Sequence, residues 1–257
     1  MAVRGVPPAP YPGRHEFKYL IRDDQSEAIA ASLQPYLELD KYSESRPRDS
    51  YTVRSIYYDS PAFTCYHEKA NGEKNRRKYR LRTYNGAGTP AFLECKQRWG
   101  GTYTKCKERL TKAEVTALRE RRGLDATIAS PAGVLGQLLL GMDRWDYGPT
   151  SLVVYDREAY VSPGQQDTVR VTFDRNLRAR LFPELDEIHG ETDLVPLLYG
   201  WTILEVKFND AVPRFLGRLV TAHGLQRQAC SKYGVSIASL LDENPTRKEG
   251  WNHVYVR

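Results

Sequence analysis

Three short stretches repeat one arrangement of side chains. HEFKY (Glu16, Lys18), LECKQ (Glu94, Lys96) and LEVKF (Glu205, Lys207) each set a glutamate and a lysine two residues apart among apolar neighbours. A fourth, KYRLRTY, places Lys78, Arg80 and Arg82 at the same spacing with no acid among them. Two is the period of a β-strand, so charges fall on one face and an apolar set such as Leu204, Val206 and Phe208 on the other. Lys105 and Lys107 share a face with Tyr103 and Arg109, Arg157 shares one with Tyr155, and Arg170 lies opposite Val169 and Val171. Cations gathered with few acids suit a polyanion: guanidinium forks grip pairs of phosphate oxygens and lysines act as mobile point charges. A glutamate among them can hold a divalent metal on phosphate oxygens. The plainer alternatives are a solvated sheet face for KYRLRTY and a salt bridge for each glutamate.

The elements that must carry these residues are readable from pattern. Strand character recurs at 15–21, 51–59, 78–84, 91–97, 103–109, 152–160, 168–174 and 202–208, and helical patterns at 24–33, 111–122, 132–140, 212–223 and 232–241. The helix 111–122 opens on a capping box, Thr111 with Glu114, and is closed by Gly123. Strands joined by short turns, with helices in blocks, predict an α+β fold in one domain over 14–242. A proline-rich tail (1–13) and an extension (243–257) flank it. If Gly100 and Gly101 form a two-residue turn, Glu94 faces Lys107, Lys96 faces Lys105, and Cys95 faces Cys106 on the apolar back.

Helices covering that back from outside predict an eight-stranded antiparallel sheet that curls or closes into a barrel, its charged face inward. The inward cations are then Lys18, Lys78, Arg80, Arg82, Lys96, Lys105, Lys107, Arg157, Arg170 and Lys207, opposed by Glu16, Glu94 and Glu205. Like charges about 5 Å apart repel by roughly 3 kcal/mol at an effective dielectric near 20, so such a lining implies a polyanionic occupant.

Other classes are excluded or disfavoured. No GxxxxGK[ST] loop occurs, and the single GxG, at Gly86 and Gly88, is followed by Thr89 and Pro90 where a helix is required. The four cysteines form no CxxC pair and the five histidines no close ligand pair, which disfavours zinc. No apolar run approaches the ~20 residues of a membrane helix, and no signal peptide is visible. A cytoplasmic protein with free thiols is expected. A formal charge of +6 fits an anionic partner without choosing it. Nucleic acid is disfavoured because aromatics such as Phe17 and Tyr79 alternate onto the face opposite the cations.

In order, HEFKYLI, IYYDS, KYRLRTY, LECK, KCKERL, VYDREAY, VRVTFD, LEVKF and CSKYGVS resemble the VTC domain. This is the catalytic domain of vacuolar transporter chaperone polyphosphate polymerases, within the CYTH-like triphosphate tunnel metalloenzymes. The resemblance runs from about Arg14 to Leu241. It implies an eight-stranded tunnel that binds ATP or another triphosphate with Mn²⁺ or Mg²⁺ and moves the γ-phosphoryl group onto polyphosphate. Carried across by motif, the phosphate-binding cations are Lys18, Arg80, Arg82, Lys96, Lys107, Arg157, Arg170 and Lys232, and the metal-binding acid is Glu205. The implied catalytic set is Arg80, Arg82, Lys107, Arg157 and Glu205. Polymerase members often carry a second lysine three residues before Lys232, where this chain has Ala229. Two alternatives use the same cage: a metal-dependent triphosphatase with water as acceptor, and a non-catalytic polyphosphate or inositol phosphate sensor.

Overall fold

A computed structural model describes residues 14–44, 49–120, 132–165 and 168–241. The predicted tail and extension, and the end of the predicted helix 111–122 with Gly123, lie outside the described residues. The strands are β1 (Arg14–Arg22), β2 (Glu38–Leu39), β3 (Tyr51–Asp59), β4 (Arg76–Tyr84), β5 (Ala91–Trp99), β6 (Thr102–Leu110), β7 (Gly148–Val161), β8 (Val169–Leu181), β9 (Val195–Pro196) and β10 (Trp201–Asn209). The helices are α1 (Asp23–Leu33), α2 (Lys41–Glu44), α3 (Thr64–Ala70), α4 (Lys112–Glu120), α5 (Gly133–Arg144), α6 (Arg214–Ala222) and α7 (Lys232–Leu241). All the long strands arise where alternation predicts them. The two-residue strands β2 and β9 and the short helices α2 and α3 are too brief to show a period.

One antiparallel sheet runs in the order β1-β10-β8-β7-β3-β4-β5-β6, with β2 added to β7 and β9 to β8. The end strands β1 and β6 do not pair, so the sheet is a curled half-barrel and not a hydrogen-bonded closed barrel. The direction of curl follows from one contact: Lys96 on β5 reaches Glu16 on β1, Nζ to Oε2 3.8 Å, although five strands separate them in the sheet order. The cation face is therefore the concave one. Gly100 and Gly101 both have positive φ, 54° and 93°, as a primed two-residue turn requires. Glu94 faces Lys107, Lys96 faces Lys105, and Cys95 faces Cys106, as the turn length predicts.

The apolar backs are covered as burial demands. Against α1 (Ile29, Leu33) and α6 (Leu216, Leu219) pack Tyr19, Ile21, Val171, Phe173, Leu204 and Phe208. Each such side chain contributes about 1.5–3 kcal/mol on leaving water. Farther round the sheet, Tyr79, Leu81, Leu93 and Cys95 belong to the cluster that holds Leu138, Leu139 and Met142 of α5. The capping box before α4 forms: the Glu114 carboxylate accepts from Thr111 N and Oγ1, and Glu114 N donates to Thr111 Oγ1.

One helix departs from the expected outer position. α7 packs on the concave side, where Ser236 Oγ lies 2.9 Å from Ser151 Oγ and the Tyr233 ring 5.2 Å from that of Tyr57. Ser151 and Tyr57 are register partners, and Tyr57 pairs with Arg80, which fixes them on the cation face. The physical reason lies in both partners. Tyr233, Gly234, Val235, Ser236 and Ile237 are all buried, so α7 is enclosed on more than one side. The concave residues at that end, such as Val153, Ala179 and Ile203, carry no charge.

Candidate functional site

Every cation predicted for the site lies on the concave face or at its border with α7, and most are held by a small set of acids. Arg80 donates from Nε and Nη2 to Glu94 Oε2, at 2.9 and 2.6 Å, and from Nη1 to Tyr57 OH at 3.3 Å. Arg82 Nη1 lies 3.9 Å from Glu94 Oε2 and Lys105 Nζ 3.8 Å from Oε1. Lys107 sits over the Phe92 ring, 3.8 Å to its centroid. Burial alone would raise the Glu94 pKa, but Arg80, Arg82 and Lys105 outweigh it and lower it to about 2. Buried atoms here still lack a hydrogen-bond partner among the described residues: Arg82 Nε and Glu94 Oε1.

A second group surrounds Glu205, which is buried on β10. Lys207 Nζ lies 2.5 Å from its Oε1 and Lys18 Nζ 3.3 Å from its Oε2. Both lysines also approach Glu16, at 3.7 and 3.0 Å. Burial opposes the charge on Glu205, yet Lys18, Lys207, Lys232 and Arg157 hold it well below the usual carboxylate range. Lys18 is raised in turn, burial being overcome by Glu205 and Glu16.

The third group is organised by an acid the strand pattern did not single out. Asp174 accepts from Arg157 Nε and Nη2, at 2.6 and 2.8 Å, and pairs with Lys232 Nζ at 2.5 Å. Its place was available in the sequence: Arg170, Thr172 and Asp174 alternate onto one face. Arg170 itself pairs with Asp40 Oδ2 at 2.5 Å, from outside the long strands, which no periodicity signals. Lys78 donates to Ser231 Oγ at 3.0 Å and faces the rings of Tyr57 and Tyr233 at 5.2 and 5.6 Å.

Tyrosines therefore do share the cation face. Tyr57 and Tyr155 are almost fully enclosed, so they give cation–π support rather than an open stacking platform. Phe17 and Tyr79 point to the back as alternation predicts, Phe17 packing edge-on against Phe208 at 5.0 Å.

The donor chemistry around Glu205 suits a divalent metal bound to phosphate oxygens. Among the described residues no group of three His, Cys, Asp or Glu side chains gathers as an all-protein cage. Mg²⁺ and Mn²⁺ acting on phosphates need only one or two carboxylates, the substrate oxygens supplying the rest. Glu205, with Glu16 sharing its two lysines, fits that donor set.

The VTC domain family model matches residues 13–241. The chain belongs to the VTC domain family. The eight-stranded antiparallel architecture that the resemblance implies is present as a curled sheet around a basic interior. A candidate adenylate cyclase from Bacillus halodurans superposes with a TM-score of 0.50 at 10% identity, covering 85% of this chain and 95% of its own. The PH1819 protein from Pyrococcus horikoshii OT3 aligns at 13% identity over 88% of this chain and 99% of its own, with a TM-score of 0.44. A candidate adenylyl cyclase from Hippeastrum, with a dominant triphosphatase activity, aligns at 14% identity over 90% and 98%, with a TM-score of 0.44. At such identities the likeness concerns the fold. No curated protein matches the chain by sequence. Among the described residues no helix is long and apolar enough to cross a membrane.

Proposed function

We propose that this VTC domain is a polyphosphate polymerase-like phosphotransferase, which moves the γ-phosphoryl group of ATP onto the end of a polyphosphate chain inside the curled sheet. The observation that carries the reading is the buried Glu205 carboxylate set among Lys18, Lys207, Arg157 and Lys232 on the concave face. In the transfer, a terminal phosphate oxygen of the chain forms a bond to the γ-phosphorus. The bond to the β–γ bridging oxygen breaks, and ADP leaves with that electron pair. Such a reaction asks chiefly for positioning and for neutralisation of oxygen charge, which a cage of fixed side chains supplies without a covalent intermediate.

Each residue has a part consistent with its contacts. Arg80 and Arg82 clamp the triphosphate, Glu94 holding both guanidinium groups and Tyr57 the Nη1 of Arg80. Arg157, fixed by Asp174 through Nε and Nη2, offers Nη1 to the transferring group, with Lys107 beside it in role. Lys18 and Lys232 guide the chain, and Lys78, Lys96, Lys105, Arg170 and Lys207 complete the positive lining. Glu205 would hold a divalent cation, which when bound supplies further neutralisation of phosphate oxygens.

A second reading, triphosphate hydrolysis in the same cage, is favoured by one feature: Ala229 stands where polymerase members often have lysine. The test is incubation of wild type and Glu205→Gln with ATP and Mn²⁺, resolving polyphosphate, ADP and free phosphate. Polyphosphate from wild type alone supports the transferase. Free phosphate without chain growth selects the triphosphatase. Tight polyphosphate binding without turnover leaves a sensor.

A further inference from the structure

The cation face continues past the residues assigned to the site. Two residues outward from Lys78 and Lys96, the register pair Arg76 and Arg98 occupies the same face, and Arg98 is opposite Tyr103 on β6. Two residues along a strand is about 7 Å. Only Trp99 follows Arg98 before the turn at Gly100 and Gly101, so this pair stands at the rim of the curled sheet.

The rim differs from the interior in its balance of charge. Most inner cations answer to Glu16, Glu94, Glu205, Asp40 or Asp174. At the rim, Arg76 donates to the carbonyl of Glu73 at 2.7 Å, and Arg98 lies 5.3 Å over the Tyr103 ring, which Lys96 approaches at 5.4 Å. Among the described residues, Arg76 and Arg98 make no ion pair with an acid. Tyr103 is half-exposed and orders the guanidinium of Arg98 without consuming its hydrogen-bonding capacity.

We propose that Arg76 and Arg98, with Tyr103 as support, form an outer subsite that holds the part of a polyphosphate chain emerging past Lys78 and Lys96. The protein then prefers long chains over a triphosphate. This rests on the reading of the interior as a triphosphate and polyphosphate site. Polyphosphate carries charge on every unit, so a chain leaving the inner lysines meets the rim cations within one strand step. Single-stranded nucleic acid would need successive rings for its bases, and the concave side of this rim offers Tyr103.

The test compares tripolyphosphate with a polyphosphate of several tens of units, by calorimetric titration of the full chain in the absence of ATP. Longer chains also offer more binding registers, so the deciding quantity is the long-to-short affinity ratio in Arg76→Ala/Arg98→Ala relative to wild type. That ratio is expected to fall about tenfold, the equivalent of one good charged contact, with tripolyphosphate bound as before. Arg76→Lys/Arg98→Lys should retain most of the preference. An unchanged ratio, or equal loss of both ligands, overturns the outer subsite. Binding of a charge-matched single-stranded DNA as tightly as long polyphosphate, lost in the same variant, overturns its assignment to polyphosphate. Failure of wild type to bind tripolyphosphate at all would instead overturn the reading of the interior.

Discussion

Lys232 Nζ sits 2.5 Å from Asp174 Oδ2, joining the first residue of α7 to the concave face of β8. The same carboxylate receives both bonds from Arg157, so one acid sets two cations and anchors the helix that packs against the concave side of the sheet. Asp174→Ala leaves two charges buried without their partner and is expected to cost about 3–5 kcal/mol in urea unfolding. Burial disfavours ionised Asp174, but Arg157 and Lys232 hold its pKa below the usual range. A depressed folded pKa contributes stability above the unfolded value, and that contribution is lost as pH falls through the folded one. Wild type should therefore lose stability below about pH 4 more steeply than the variant.

Arg80 grips Glu94 with two nitrogens and Tyr57 with a third, a fork that lysine cannot reproduce. Arg80→Lys is expected to weaken tripolyphosphate binding by about tenfold or more, read by calorimetry, despite the unchanged charge. A Kd equal to wild type would mean that only net charge matters at this position.

Lys78 has its pKa lowered to about 8, first by burial and then by Lys18, Arg80 and Lys96, with Tyr57 opposing. Burial raises the Tyr57 pKa, but Arg80, Lys78 and Arg82 outweigh it and lower the phenol to about 7. As pH rises from 6 to 9, one group gains negative charge and the other loses positive charge, so affinity for a polyanion should fall across this window. Tyr57→Phe should remove the lower part of the fall and Lys78→Arg the upper part. A flat profile in wild type would sink the assignment of both groups to the anion site.

Gly141 on α5 approaches Tyr79 so closely that an added Cβ would lie 2.2 Å from the phenol oxygen. Gly141→Ala is expected to destabilise by about 1–3 kcal/mol in thermal or urea unfolding, with Tyr79→Phe relieving part of the loss. Tyr79 separates Lys78 from Arg80 along β4, so displacement of its backbone should also lower tripolyphosphate affinity.

Most of this architecture was legible in the chain because a strand writes its faces at a period of two. The eight long strands, the turn at Gly100 and Gly101, and the register of Glu94, Lys96, Cys95 and their partners follow from alternation and turn length. So does the gathering of Lys18, Arg80, Arg82 and Lys207 on one face. Lys232 came from family resemblance, since a single cation at a helix start has no periodic signature. Asp174 shared its face with Arg170 and could have been found. Asp40 could not, because its contact with Arg170 spans 130 residues and is made from outside the long strands.

The sequence by itself determined which side chains share a face, because covalent geometry alternates them whatever the rest of the chain does. The tertiary structure decided which of those faces curls inward, how the acids are divided among the cations, and that α7 packs on the concave side. These depend on contacts between residues far apart in the chain, such as Glu16 with Lys96 and Asp174 with Lys232, which local periodicity does not encode.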